Sequence, residues 1–134
     1  MKVLVCGGRD YDEWPKLKEK LDELHETFKF TEVIHGAAQG ADRLAGVWSR
    51  WNNIKESPYP ADWKKDGKRA GYVRNARMLK EGKPELIIAF KGGKGTQMMI
   101  KLAEDSGVEV YDLDRRLNGQ GSSLVRLNKN QVSG

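Results

Sequence analysis

The chain has 134 residues and a formal net charge of +5, a length that carries one domain with a single sizeable core. No apolar run is of membrane-spanning length, and Arg9 and Asp10 interrupt the N-terminal apolar segment too early for a signal peptide. The single cysteine excludes an internal disulfide and suits a reducing compartment, so the expectation is a cytoplasmic globular protein with no membrane partner.

KVLVC (2–6) is a short β-rich apolar run ended by Gly7 and Gly8, which predicts a buried strand in which Cys6 is an inert thiol. From Asp12, a candidate N-cap, to Phe28, the residues Leu17, Leu21, Leu24 and Phe28 recur at helical spacing. TEVIH (31–35) predicts a second strand ended by Gly36, and residues 40–51 a helix with Ala41, Leu44, Ala45 and Trp48 on one stripe. Residues 53–58 read as a short third strand, after which Pro58 and Pro60 force an extended loop. Residues 67–80 predict a helix weakened by Gly71. ELIIAF (85–90) predicts a central strand, residues 94–106 a helix with Met98, Met99, Leu102 and Ala103 inward, and VEVYDL (108–113) a last strand. The remainder lacks periodicity, so the expected division is a domain over 1–114 and a basic, flexible tail over 115–134.

Strand and helix alternate throughout. Unbroken apolar runs imply strands buried on both faces, hence an α/β, Rossmann-like fold with a doubly wound, mostly parallel sheet flanked by helices. In such a sheet ligands bind beyond the carboxyl ends of the strands. Three glycine-rich loops follow strands there: GGRD (7–10), HGAAQGAD (35–42) and KGGKGT (91–96). Two of them lead into helix N-termini, which attract anions through free N–H groups and a partial positive charge. Tight turns between strand and helix also use glycine, and that plainer explanation stands beside the first.

No familiar fingerprint is present: neither GxGxxG nor GxxxxGK[ST] occurs, and no Cys/His/Asp cluster has metal-ligand spacing, so no metal and no cofactor is expected. His35 at a strand end reads as a packed or capping histidine, and Ser122 and Ser123 have no evident base. In AGYVRNARM (70–78), Arg74 and Arg77 share a helix side. Arg74 with Asn75 offers a fork for a phosphate and an amide for a base or sugar, or equally a solvated basic face. Trp63 reads either as a stacking surface for a base or, more simply, as a lid over the core; Trp48 and Trp51 read as helix packing.

In order, VLVCGGRDYDEW, VIHGAAQGADRLAGVWS, YPADWKKDGKRAGYVRNARML and LIIAFKGGKGTQMM closely resemble the YspA-like SLOG proteins, over about residues 2–112. These belong to a superfamily with the DprA-type proteins and the Lonely guy phosphoribohydrolases. The resemblance implies a nucleotide-type pocket at the strand ends, with Gly92, Gly93, Gly95 and Thr96 around a phosphate. Gly7, Gly8, Arg9 and Asp10 would form its floor, Gly36, Ala37, Gly40 and Asp42 a neighbouring wall, and Arg74 and Asn75 a further contact. It also implies a homo-oligomer, a dimer or larger. Two departures matter. Lonely guy enzymes carry PGGxGTxxE, whose glutamate takes part in cleaving an N-glycosidic bond; here Lys91 stands at the proline position and Met99 at the glutamate. Gln39 stands where the YspA-like pattern commonly has arginine.

The leading expectation is therefore binding, for sensing or sequestration, of a nucleotide-derived small molecule such as an ADP-ribose-like one. The alternative is a nucleotide hydrolase in which Asp10, Asp42 or Asp62 replaces the missing glutamate. Single-stranded DNA binding is a less favoured third. Arg115, Arg116, Arg126 and Lys129 carry +4 of the net charge, leaving 20 basic and 19 acidic residues, or +1, in residues 1–114. The basic 64–83 stretch is what keeps nucleic acid in view.

Overall fold

The computed structural model of the chain describes residues 1–113. The sequence-based boundary at 114 and the expected tail lie outside them. The elements are β1 (Lys2–Cys6), α1 (Trp14–Phe28), β2 (Glu32–His35), α2 (Ala41–Trp51), β3 (Lys55–Pro58), α3 (Trp63–Asp66), α4 (Ala70–Arg77), β4 (Leu86–Ala89), α5 (Lys94–Asp105) and β5 (Glu109–Asp112). The strands form one five-stranded sheet in the order β3-β2-β1-β4-β5, and every pairing is parallel. The Rossmann-like α/β architecture expected from the sequence is the one found.

The apolar runs work by alternation. Val3 and Val5 of β1, with Leu86 and Ile88 of β4, face a core completed by Leu17, Leu21 and Leu24 of α1 and Ala41, Ala45 and Trp48 of α2. Leu4 and Cys6, with Ile87 and Ala89, face the opposite side against Met78 and against Met99, Ile100 and Ala103 of α5. Because successive strand side chains point to opposite faces, a run apolar at every position supplies two helical layers at once. Fully burying each such aliphatic side chain contributes about 1.5–3 kcal/mol, so these two faces dominate the stability of the domain.

Two local expectations are corrected. The helix starting near Asp12 begins at Trp14 with Glu13 as N-cap and no side-chain cap, because Pro15 fits the first turn, where its missing N–H costs nothing. The helix expected over 67–80 starts at Trp63: Asp62 caps α3 by accepting from the Lys65 amide at 3.0 Å. A 3-10 turn (Gly67–Arg69) then leads into α4, which ends in a wide π turn (Met78–Gly82). The reading of Trp48 and Trp51 as helix packing holds: Trp51 of α2, though 66% exposed, meets Trp14 of α1 edge-on at 5.4 Å, and Trp48 packs in the core with its indole Nε1 donating to Asp22.

The chain winds α1 and α2 onto one face of the sheet and α4 and α5 onto the other. The change of direction falls between β1 and β4, the two central neighbours. That is where an open parallel sheet leaves a crevice beyond its strand ends.

Candidate functional site

A cavity of about 820 Å³ opens at this switch point. Its floor is the loop after β1, where Gly8 meets Gly92 of the loop after β4. The two loops are bonded directly: the Gly8 amide donates to the Lys91 carbonyl at 2.8 Å. The Gly8 carbonyl accepts from the amides of Tyr11 (3.2 Å) and Ala41 (3.1 Å). One residue thus fixes both loops and the start of α2.

Opposite the floor stand Arg74 and Asn75 of α4. The Arg74 guanidinium donates through Nη1 to the Gly36 carbonyl and through Nε to the Asn75 side-chain oxygen at 2.8 Å. Asn75 is buried, and its Nδ2 donates to the Gly95 carbonyl at 3.4 Å, tying α4 to the first turn of α5. Burial draws the Arg74 guanidinium below its usual range; the Asp42 carboxylate opposes that shift and Arg9 adds to it. Two cations therefore feel each other across the cavity, an arrangement that an anion relieves.

Asp42 is also buried. Its Oδ2 accepts from the Ala38 amide at 3.2 Å, and burial raises its pKa against opposing contributions from that bond, His35 and Arg74. Three amides around the α2 N-terminus are committed: Ala37 donates to His35 Nδ1 (3.0 Å), Ala38 to Asp42 and Ala41 to Gly8. The first turn of α5 has none committed among the described residues. Gly93 is its N-cap without a side-chain cap, and among the described residues no acceptor takes the amides of Lys94, Gly95 and Thr96. Neither Gly93 nor Gly95 has a left-handed φ, and a Cβ at either would meet nothing within 4 Å. The fold does not require glycine at Gly95, inside the first turn of α5, where it costs about 0.5–1 kcal/mol against alanine; Gly93 is the N-cap, a position that favours glycine over alanine. Bare backbone here suits close approach by something outside the protein.

The structure brings into this one cavity Gly7, Gly8, Arg9 and Asp10 from the first loop, Asp42 from the second, Arg74 and Asn75 from α4, and Gly92, Gly93, Gly95 and Thr96 from the last. It leaves out Gly36, Ala37 and Gly40. Gly36 lies against the Arg74 guanidinium, Ala37 takes a positive φ of 59° to reach His35, and Gly40 (φ 78°) presses against the Gly8 carbonyl. The contacts of all three are with the protein's own groups. Gln39 and Asp62 are likewise absent from the lining.

Of the two readings of Trp63, stacking surface or core lid, the lid does not hold: the side chain is 51% exposed at the cavity mouth, with the Arg9 guanidinium 5.7 Å from its ring centroid. The sequence reading missed Tyr72, Met78 and Met98 as lining residues; only their spacing around Arg74 and Met99 pointed there. Met99 is 1% exposed and also part of the wall.

Other chemistry is restrained. Burial, with Asp42 and Asp112 adding to it, pushes the Cys6 thiol far up, so it is no thiolate nucleophile. Burial, then Glu13 and Asp12, pushes the Tyr11 phenol up to about 12, which keeps it neutral. His35 Nδ1 accepts from Ala37, so its Nε2 carries the proton to Glu56 at 2.7 Å; His25 Nδ1 accepts from the Phe30 amide at 2.9 Å. Both histidines hold the scaffold. Among the described residues no group of three or more His, Cys, Asp or Glu could hold a metal ion, and no helix is long and apolar enough to cross a membrane.

Comparison with known proteins bears on the same region. Residues 1–65 match the family described as YspA, cpYpsA-related SLOG. The Gene 61 protein of Mycobacterium phage D29 is 33% identical over 120 residues, covering 83% of this chain and 94% of that protein. No solved structure matches the chain.

Proposed function

Because the chain belongs to the YspA, cpYpsA-related SLOG family, whose membership is consistent with nucleotide-related binding or hydrolysis, we propose that it binds a nucleotide-derived small molecule and holds it intact. The ligand lies in the crevice between β1 and β4, with a phosphate on the first-turn amides of α5 and on Arg74. The observation that carries this reading is Gly95: a glycine the fold does not need, in the first turn of a helix whose leading amides have no acceptor among the described residues, facing an anchored arginine. The role that follows is sensing or sequestration of a nucleotide signal by an oligomer of this chain.

Thermal-shift measurements with AMP, ADP, NAD and ADP-ribose test it. A ligand at 100 times its Kd stabilises by about 2.7 kcal/mol, which for a domain of this size raises Tm by roughly 10 °C. Stabilisation by none of them, nor by other nucleotides, overturns the reading.

One observation favours a second reading, hydrolysis of such a ligand. Asp42 is a buried carboxyl of raised pKa beside Arg74, the kind of group that donates a proton to a leaving base. Against it, its Oδ2 already holds the Ala38 amide, and Met99 stands where a second carboxylate would be needed. Release of free base or ribose phosphate from AMP, NAD or ADP-ribose, abolished by Asp42→Asn, would establish this reading in place of simple binding. DNA binding would instead show as a salt-sensitive shift of a labelled oligonucleotide.

A further inference from the structure

Arg9 and Trp63 come from distant parts of the chain, the loop after β1 and the short helix α3, and meet at the cavity mouth. The indole is half exposed although tryptophan carries one of the largest apolar surfaces to hide. Its position is nevertheless fixed. Asp62 caps α3 through the Lys65 amide, and the far edge of the indole lies 3.9 Å from where a Cβ on Gly71 would stand. Among the described residues, no hydrogen bond or ion pair holds the Arg9 side chain; its one recorded contact is the face of this ring. A guanidinium on an exposed indole gains only about 0.5–1 kcal/mol, so it leaves readily when a stronger partner arrives.

Resting on the proposed nucleotide site, we propose that Trp63 and Arg9 form an exchange pair that reads both ends of the ligand. The aromatic base of the nucleotide takes the Trp63 face, and the displaced Arg9 guanidinium turns to the ligand's phosphate. The parts match in chemistry: every base has a π-face, so stacking tolerates many bases, and the planar guanidinium suits phosphate better than indole. A molecule with only one of the two groups gains less, because it either competes with Arg9 for the ring or leaves the ring without a base. The pair therefore selects ligands that carry an aromatic base and a phosphate together.

The test compares AMP and ADP-ribose, which carry a base, with ribose 5-phosphate, which does not, and with adenosine, which lacks phosphate. Calorimetry on the full chain is expected to give base-bearing phosphates an advantage over ribose 5-phosphate of roughly 5- to 150-fold, the range of one base–aromatic stack. Trp63→Leu removes that advantage and leaves ribose 5-phosphate equal or slightly tighter, since Arg9 no longer has a ring to leave, whereas Trp63→Phe keeps most of it. Arg9→Ala weakens AMP but leaves adenosine equal or tighter, since the ring is no longer occupied. Trp63 is half exposed, so both of its variants are expected to fold, and their unfolding midpoints check this. Equal losses for AMP and ribose 5-phosphate in Trp63→Leu, or parallel losses for AMP and adenosine in Arg9→Ala, overturn the exchange while leaving the nucleotide site intact. Failure of the wild-type chain to bind ribose 5-phosphate or any nucleotide overturns both.

Discussion

The carbonyl oxygen of Gly8 occupies the space in which a side chain on Gly40 would begin, and Gly40 holds a φ of 78° to bring the two backbones together. That oxygen also accepts from Ala41, the first residue of α2. Gly40→Ala therefore combines a left-handed conformation with an overlap against rigid backbone. It is expected to destabilise the protein by at least about 2 kcal/mol, read as a lower urea midpoint at unchanged m-value.

Gly95→Ala is expected to act in the opposite direction on stability. Its Cβ meets nothing, and alanine is the better residue in the first turn of α5 by about 0.5 kcal/mol. Nucleotide affinity should fall at least severalfold, because the added methyl stands where a phosphate approaches. A rise in Tm together with weaker binding by calorimetry is the expected pair of results; unchanged affinity would remove the phosphate from this turn.

Arg74→Ala should cost more than a surface arginine would. It leaves the buried Gly36 carbonyl without its donor and Asp42 without its neighbouring cation, a loss of about 1–3 kcal/mol. Arg74→Lys retains the charge but cannot serve Gly36, Asn75 and a phosphate at once, so it should recover stability better than affinity. Chemical denaturation and ligand titration of the two variants separate these contributions.

Acid should unfold the protein partly through Glu56. Burial pushes this carboxyl up, but its hydrogen bonds from His35 and Arg50 outweigh burial and set it below its ordinary value. A group depressed in the folded state stabilises above its unfolded pKa, about 4.3, and that contribution disappears as pH falls through the lower folded value. Glu56→Gln keeps an acceptor for His35 yet should flatten the stability profile below pH about 4.5 by roughly 1 kcal/mol, measurable from urea midpoints across that range.

Strands β1, β2 and β4 were legible because a parallel strand buried on both faces leaves an unbroken apolar run. Helices α1, α2 and α5 were legible because their leucines, alanines and methionines keep helical spacing. The stretch from Trp63 to Gly82 was legible only in part: the helical run read over 67–80 is there, but its earlier start at Trp63 was not. Its lysines mask any apolar stripe, and the Asp62 cap is a single side-chain bond that only the folded loop reveals. The site divides similarly. Glycines beyond strand ends marked the right edge of the sheet, but a glycine that admits a ligand and one that admits a neighbouring backbone look identical in sequence. Gly93 and Gly36 show the difference only in space, one open and the other filled by Arg74. The direction of Trp63 depended on where its helix docks, which no local pattern encodes.

Gly8 joins the loops through its own amide and carbonyl, so the base of the crevice is held together by main chain and not by any side chain. The groups that would choose a ligand, Arg9, Trp63 and Arg74, project from other positions around it. Exchanging Arg9 or Trp63 leaves that main-chain base in place, whereas Arg74 also holds the Gly36 carbonyl and Asn75. The same scaffold is thus open to retuning toward a different small molecule by a few substitutions at the rim.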